Sequence, residues 1–373
     1  MGTSMKILLV NLDGRGGAYT LINQIQKIIY PQCIFDYYWM GSDFSEKSKH
    51  EVTDLDGHII EGNLRKNRLL GHLLLPSSFY HFLKKNPYKI IHINGDTAFK
   101  LLIYALPAKL AKCPCVIIHS HSSGINGDHK HLKLFMHRLC KPFLMRNADI
   151  YLTCSKKASE WMFTSFQNQA VMINNGVDLD KYKYSSELRQ LYREKLGLKD
   201  EIIIGMVGNL SYQKYPEYMV NIMEYLPLSY KLVFIGDGPN KVNIENYVND
   251  KGLQDRIIFY GQTKKVNELL NAIDIFCMTS RFEGLPVSAV EAQANGLPCI
   301  LSDKMTVETR ILSNCQFLSI EDSPKVWSDE IQKIELQTNK RDCATALLKK
   351  AGFDINDSAN KILNIYRQGY RGR

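Results

Sequence analysis

The chain has 373 residues, of which 45% are hydrophobic and 23% charged, and it carries a net charge of +9. That is enough for two domains of ordinary size with real cores, and it excludes a disordered chain. The positive excess is confined to one half: residues 1–175 hold 21 Lys and Arg against 12 Asp and Glu, whereas residues 176–373 hold 26 of each. A basic half suits nucleic acid, an anionic lipid surface or a phosphate-bearing substrate.

The nine cysteines are scattered. The close pair in Cys113-Pro114-Cys115 lacks metal-ligand spacing and has no matching second pair, so reduced, buried thiols in a cytosolic protein are expected. No apolar run approaches the roughly 18 residues of a transmembrane helix, and no signal peptide is visible. Met1-Gly2-Thr3-Ser4 reads as a short leader ahead of Met5. Lys6 occupies the position where a myristoylation site wants Ser or Thr. The expected location is the cytoplasm, with peripheral contact at the inner face of the plasma membrane as the alternative.

In chain order, short apolar runs alternate with segments of helical length. The run Lys6-Ile7-Leu8-Leu9-Val10 is followed by a loop with Gly14, Gly16 and Gly17, then by a helix over 18–29. Strands are expected at 34–38, 90–93, 116–119, 150–154 and 171–173. This βαβ alternation predicts a doubly wound, mainly parallel sheet. Gly14-Arg15-Gly16-Gly17 lacks the G-x-G-x-x-G spacing of a dinucleotide site, but its glycines let a ligand come close to the backbone ahead of a helix. His119-Ser120-His121 closes a strand, where a histidine can hydrogen-bond a ligand hydroxyl or handle a proton; His92, inside its strand, reads as a core histidine. Segments 65–85 and 130–146 interleave basic and apolar residues, as membrane-surface helices and ordinary surface helices both do.

Residues 174–200 are charged and poor in apolar runs. They begin with the turn-rich Asn174-Asn175-Gly176-Val177-Asp178 and are expected to be a linker. A second series of strands then follows, at 202–207, 231–235, 257–260, 273–277, 299–302 and 316–319. Two similar α/β domains result, with a cleft expected where their strand ends face each other. Asp54-Leu55-Asp56 and Asp178-Leu179-Asp180 both read D-x-D, too few carboxylates to argue for a divalent metal, so no metal site is expected.

The most informative stretch runs from Arg281 to Asp303, RFEGLPVSAVEAQANGLPCILSD. Pro286 suits the first turn of a helix and Asn295-Gly296 its stop, which predicts a helix over 286–295. Glu283 then lies just ahead of a helix N-terminus, whose unpaired N–H groups favour anions. Glu291 lies at the border of the face that carries Val290 and Ala294, and a carboxylate there needs a hydrogen-bonding partner that nothing nearby in sequence supplies.

This stretch resembles the E-x7-E signature of the retaining glycosyltransferases of family 4, and the likeness runs through Glu283, Gly284, Leu285, Pro286, Glu291, Ala292, Gly296, Leu297 and Pro298. Asn175-Gly176-Val177-Asp178 and Gly236-Asp237-Gly238-Pro239 resemble further runs of that family. The resemblance implies the GT-B fold: an N-terminal Rossmann-like domain over 1–175, a C-terminal one over 176–354, and a final helix within 355–373 packing back on the first. It implies a nucleotide-sugar donor, a UDP-sugar by expectation, held mainly by the second domain. Lys214 and the helix start at Gly284, Leu285 and Pro286 would meet the pyrophosphate, Glu283 the sugar hydroxyls, and Glu291 the ribose. Gln262 would touch the base, Gly16 and Gly17 would lie beside the phosphates and the acceptor, and His119, or alternatively His121, would contact the donor sugar. Asn209 stands where the family has arginine, which removes a fixed charge and five N–H donors; Arg15 or Arg281 is expected to fill the gap. In such enzymes the acceptor hydroxyl attacks the face the nucleotide leaves and a donor phosphate oxygen takes the proton. No protein nucleophile, cofactor or metal is then needed. The chain looks most like members that build exopolysaccharide, capsule or lipid-linked glycans, with the His-Ser-His run as the reason. The expected partners are a nucleotide-sugar, a glycan or lipid-linked acceptor and an anionic membrane surface, with no nucleic acid. A sugar-nucleotide epimerase or hydrolase on the same fold, or a silent partner of another transferase, are the alternatives.

Overall fold

The computed structural model describes residues 4–62, 68–125, 129–336 and 338–371. The leader residues Met1-Gly2-Thr3 and residues 65–67 of the first basic stretch lie outside these. The chain divides into two compact units, one formed by Met1–Gly176 with Ile355–Arg373 and the other by Val177–Asp354.

Among the described residues unit 1 holds seven parallel strands: β1 Met5–Val10, β2 Cys33–Trp39, β3 Ile59–Glu61, β4 Ile90–Gly95, β5 Cys115–Ser120, β6 Ile150–Thr153 and β7 Val171–Met172, in the order β3-β2-β1-β4-β5-β6-β7. A parallel sheet is covered on both faces by its crossover helices, so its central strands carry unbroken apolar runs. Ile7, Leu8, Leu9 and Val10 are all completely buried. The edge strand β3 has no such run and was not legible in the sequence; its three residues are only partly buried.

The last helix, Ile355–Arg371, repeats apolar residues at helical spacing, with Ile355, Ala359, Ile362, Leu363 and Tyr366 on one face. That face joins the same core as Ile7, Ile22, Ile25 and Phe35. The Tyr366 ring meets Phe35 edge-on at 5.8 Å. Gly369 allows close approach to β5, because a Cβ there would lie 2.7 Å from Cys115 Sγ.

Unit 2 holds six parallel strands: β8 Ile202–Val207, β9 Tyr230–Ile235, β10 Ile257–Gly261, β11 Ile275–Met278, β12 Cys299–Ser302 and β13 Cys315–Leu318, in the order β10-β9-β8-β11-β12-β13. β11 starts two residues later than the apolar run suggested. Ile273 closes a short 3-10 turn instead, and the Asp274 carboxylate takes the Ile203 N–H at 2.8 Å while pairing with Arg189 and Arg193.

The segment expected to be a linker is mostly not one. From Val177 onward it packs into unit 2, with Val177, Leu179, Tyr182 and Tyr192 buried and a Ser185-capped helix at Ser186–Lys195. Its aromatic and arginine side chains find partners far away in sequence, such as Glu268 for the Tyr192 hydroxyl. A count of local apolar runs cannot see them.

Arg341 performs a similar long-range task. It is buried, and its guanidinium donates to the carbonyl oxygens of Leu270, Ile273 and Asn295 and to Asn295 Oδ1. Its backbone also explains the glycine stop at Gly296, where φ is +78° and a Cβ would fall 2.6 Å from Arg341 Cα. Replacing Arg341 by Met would strand these buried acceptors. We expect Arg341→Met to lower unfolding stability by about 3 kcal/mol or more, read from urea denaturation.

Candidate active site

β8 and β9 run straight into Gly208 and Gly236. A Cβ on Gly236 would lie 2.0 Å from the Gly208 carbonyl oxygen, and one on Gly208 would lie 2.9 Å from Lys214 Cε. Only glycine lets the two strand ends touch and leaves a lane for the lysine stem. Along that lane Lys214 Nζ reaches Glu283 Oε1 at 2.8 Å, with both side chains almost entirely buried. Lys214 and Glu283, predicted to engage different parts of a donor, therefore hold each other.

The loop after β8 is fastened to the loop after β11. Thr279 Oγ1 donates to the carbonyls of Lys214 and Tyr215, the Arg281 N–H donates to Gln213 O at 2.8 Å, and Gln213 Nε2 donates to Phe282 O at 3.2 Å. This fastening brings Arg281 to the same place as Lys214. Its guanidinium lies 3.4 Å from the centre of the Tyr215 ring and 4.5 Å from that of Tyr212, and its buried Nε has no hydrogen-bond partner. Of the two arginines expected to stand in for Asn209, Arg15 is instead paired with Asp13 and Asp43 in unit 1. Asn209 itself is exposed, with its Oδ1 lying over Gly238.

The helix spans Val287–Ala294, one residue shorter at each end than expected. Pro286 is extended, and its carbonyl accepts from Ala289 N and Val290 N. Gly284, Leu285 and Pro286 are buried ahead of it, and Gln262 is exposed just after β10.

Glu291 is buried, and it does have a protein partner. The Tyr182 hydroxyl, 109 residues away, donates to its Oε1 at 2.5 Å. Burial raises the Glu291 pKa, while the Tyr182 hydrogen bond and the charge of Lys181 pull it back down. As the sequence suggested, the partner is not a sequence neighbour: it comes from the segment read as linker, and no local signal marks Tyr182. Asn295 Nδ2 donates to Tyr182 O and fixes the tyrosine in turn.

In unit 1, His119, the histidine expected to contact substrate, is 0% exposed. His121 is half-buried, its ring centre 4.0 Å from that of His119, and its Nε2 lies 2.8 Å from Asn94 Oδ1. His92 is fully buried behind them. Burial depresses all three pKa values, that of His92 to about 3 and that of His121 to about 4, and that of His119 well below the ordinary histidine value. The rings are neutral at pH 7. Gly16 opens the helix Gly16–Ile29 with φ +79° and open space where a Cβ would be, and Gly17 follows it in the first turn.

The aspartate pairs serve turns. Asp56, with φ +57°, accepts from the Tyr30 hydroxyl, and Asp178 Oδ1 accepts from Lys181 N. Among the described residues no three His, Cys, Asp or Glu gather as metal ligands.

Comparison with known proteins bears on this geometry. Residues 189–346 match the family model described as glycosyl transferases group 1, and residues 37–181 match that of glycosyltransferase family 4. The chain is 28% identical over 383 residues to EpsF of Bacillus subtilis (strain 168), itself provisionally a glycosyltransferase, covering 98% of this chain and 97% of that one. It is 28% identical to the Escherichia coli UDP-Gal:alpha-D-GlcNAc-diphosphoundecaprenol alpha-1,3-galactosyltransferase over 61% of this chain and 60% of that enzyme. Among solved structures, Anabaena Alr3699/HepE in complex with UDP-glucose superposes with a TM-score of 0.78 at 19% identity, over 97% of this chain and 99% of that one.

Two measurements check the electrostatics. Tyr182→Phe leaves the Glu291 carboxylate buried without its donor, so we expect a loss of about 1–3 kcal/mol of stability. The loss should grow as pH rises from 4.5, because only the ionised carboxylate lacks a partner and the folded-state pKa moves further up. The histidines act in the opposite sense. The unfolded chain takes up protons below about pH 6.5 that folded His92 and His121 refuse until about pH 3–4. Stability should therefore fall on acidification from pH 7 towards pH 4, read as a falling Tm.

Proposed function

Because the chain belongs to the group 1 glycosyltransferases of GT-B fold, we propose that it moves a sugar from a UDP-sugar to a hydroxyl of a glycan or lipid-linked acceptor in cell-surface polysaccharide assembly, with retention at the anomeric carbon. The observation that carries this reading is the Lys214–Glu283 pair, set between two fastened loops at the carboxyl ends of β8 and β11, just ahead of a helix N-terminus. Cation, carboxylate and open helix end are the three features a sugar diphosphate needs from one wall of a site.

The donor diphosphate competes with Glu283 for Lys214. Once the lysine turns to the phosphates, Glu283 is released to accept hydrogen bonds from sugar hydroxyls. Arg281 supplies the second positive charge that Asn209 lacks, held rigid by its two tyrosines. Glu291, kept in place by Tyr182 on one oxygen, takes the ribose. Gln262 lies towards the base. The acceptor hydroxyl attacks on the face the nucleotide leaves, and a phosphate oxygen receives its proton. Lys214, Arg281 and the N–H groups before Val287 carry the developing charge on the phosphates, so neither a cofactor nor a divalent metal is required. The named activity of the E. coli relative, on a lipid diphosphate acceptor with UDP-Gal, supports this choice of substrates.

The acceptor side is proposed to meet an anionic membrane. The helix Lys130–Arg146 buries His137, Leu144 and Met145 and turns a second stripe outward: Leu132, Phe135, Leu139 and Phe143 are 53–64% exposed, interleaved with Lys130, Lys133, Arg138 and Lys141. Among the described residues no helix is long and apolar enough to cross a membrane, so this contact is peripheral. Near an anionic surface each basic residue contributes about 1 kcal/mol.

The deciding experiment incubates the enzyme with single UDP-sugars and a lipid diphosphate sugar acceptor in excess chelator, and reads the product's anomeric configuration by NMR. Transfer with retention is expected; activity that disappears with chelator and returns with Mn²⁺ would remove the metal-free mechanism. Glu291→Gln should weaken UDP binding by about tenfold in calorimetry, and Glu283→Gln should lower turnover more than UDP affinity. Cosedimentation with anionic vesicles is expected at low salt and lost at high salt. Charge reversal at Lys130, Lys133, Arg138 and Lys141 should abolish it, and pelleting that survives would place the contact elsewhere.

A further inference from the structure

On the face of the unit 1 sheet that is covered by the helix Ile355–Arg371, three buried side chains form a line of hydrogen bonds. The Tyr366 hydroxyl lies 2.7 Å from His92 Nδ1, and His92 Nε2 lies 3.2 Å from His119 Nδ1. At the end of the line His119 Nε2 is buried and has no hydrogen-bond partner. Tyr366 and His92 come from opposite ends of the chain, 274 residues apart.

Proton positions in such a line follow from counting donors and acceptors. Suppose Tyr366 O–H donates to His92 Nδ1. His92 then carries its proton on Nε2 and donates to His119 Nδ1, and His119 carries its proton on Nε2. One donor is left over, the His119 Nε2–H. Suppose instead that every bond is reversed. The Tyr366 O–H then points at nothing inside the core, and the His119 Nε2 lone pair is also left over. A buried polar group without a partner loses its hydration with nothing in return. The first arrangement leaves one unsatisfied group, the second leaves two, and the first is therefore the one adopted.

We propose that Tyr366 and His92 are positioning residues that lock His119 as its Nε2–H tautomer, so that His119 serves as a fixed hydrogen-bond donor to a carbohydrate hydroxyl oxygen at the carboxyl edge of this sheet and not as a base. The tautomer rests on unit 1 geometry alone; the carbohydrate as acceptor rests on the glycosyltransferase reading. The half-buried His121 ring lies against His119, with the two ring centres 4.0 Å apart. His121 has the complementary assignment. It donates from Nε2 to Asn94 Oδ1, which leaves its lone pair on Nδ1. Neighbouring rings thus carry one free donor and one free acceptor, the pair a hydroxyl group can use.

The two parts are tested separately. In the full-length protein labelled with 15N-histidine, the ring nitrogen shifts at pH 7 report each tautomer without any ligand. His119 is expected with its proton on Nε2, and Tyr366→Phe, which removes a single oxygen, is expected to shift it to a mixture. A wild-type His119 protonated on Nδ1, or an unchanged His119 in Tyr366→Phe, overturns the assignment. Should Tyr366→Phe not fold, the wild-type spectrum decides alone. For the donor role, a glutamine amide can replace the N–H whereas a glutamate carboxylate offers only acceptors. With UDP-sugar and acceptor, His119→Gln is expected to retain at least about tenfold more kcat/KM than His119→Glu, and Tyr366→Phe to lose about fivefold. His119→Gln as poor as His119→Glu overturns the donor role while leaving the tautomer standing. Wild-type protein that transfers no sugar removes the functional reading, and the spectrum still answers the first question.

Discussion

A carboxylate stays charged away from water only when a donor is brought to it. In unit 2 that donor is the Tyr182 hydroxyl, and much of the surrounding structure serves to deliver it to Glu291. Asn295 holds the Tyr182 carbonyl, Arg341 holds Asn295, and Arg341 is in turn anchored on the ends of the turn that precedes β11. The same short helix therefore has its middle pinned by Tyr182 and its end pinned by Arg341. Its start follows the loop that carries Glu283. Every side chain with a proposed task on this wall hangs on a segment fixed from both directions, which is what positioning within a fraction of an ångström demands.

The neighbouring strands obey a stricter rule. Where β8 and β9 end, backbone meets backbone with no room for a single methyl group, and the lysine stem fills the space that remains. Lys214 is long and flexible in water, but here packing decides its course before electrostatics does. The ion pair with Glu283 is the final step, and it fixes both groups as a couple. The adjacent loop places Arg281 beside Tyr215, the residue after Lys214, so a second cation lies at this end of the sheet.

Much of this was legible in the residues themselves. Central strands of a parallel sheet are buried on both faces, so they announce themselves as apolar runs, and the positions of β1, β4, β8 and β12 were readable for that reason. The glycine and proline punctuation around Glu283 and Glu291 gave the helix to within one residue at each end. What escaped were features decided by distant parts of the chain. β3 is too short and too exposed to have a pattern. Segment 177–200 looks like a linker because its anchors, Tyr182 and Tyr192, are isolated aromatics among charges. His119 and His121 are one residue apart in the same motif, yet one is sealed in the core and the other reaches the surface. Strand alternation puts both on one face, and no local pattern tells which ring is sealed and which reaches the surface.

That last helix also has a temporal consequence. Unit 2 is encoded without interruption from Val177 to Asp354, whereas unit 1 is divided, with Ile355–Arg373 added after unit 2 is complete. On the ribosome the chain emerges from its N-terminus, so the first 176 residues wait with part of one side of their sheet uncovered while an entire second unit is made. Ile362, Tyr366 and their neighbours complete that face only after unit 2 has been made. A chain interrupted before this helix would carry a complete unit 2 and an unfinished unit 1 that exposes apolar surface, the kind of surface that quality control removes. The placement of this helix thus makes completion of unit 1 depend on unit 2 having been made first.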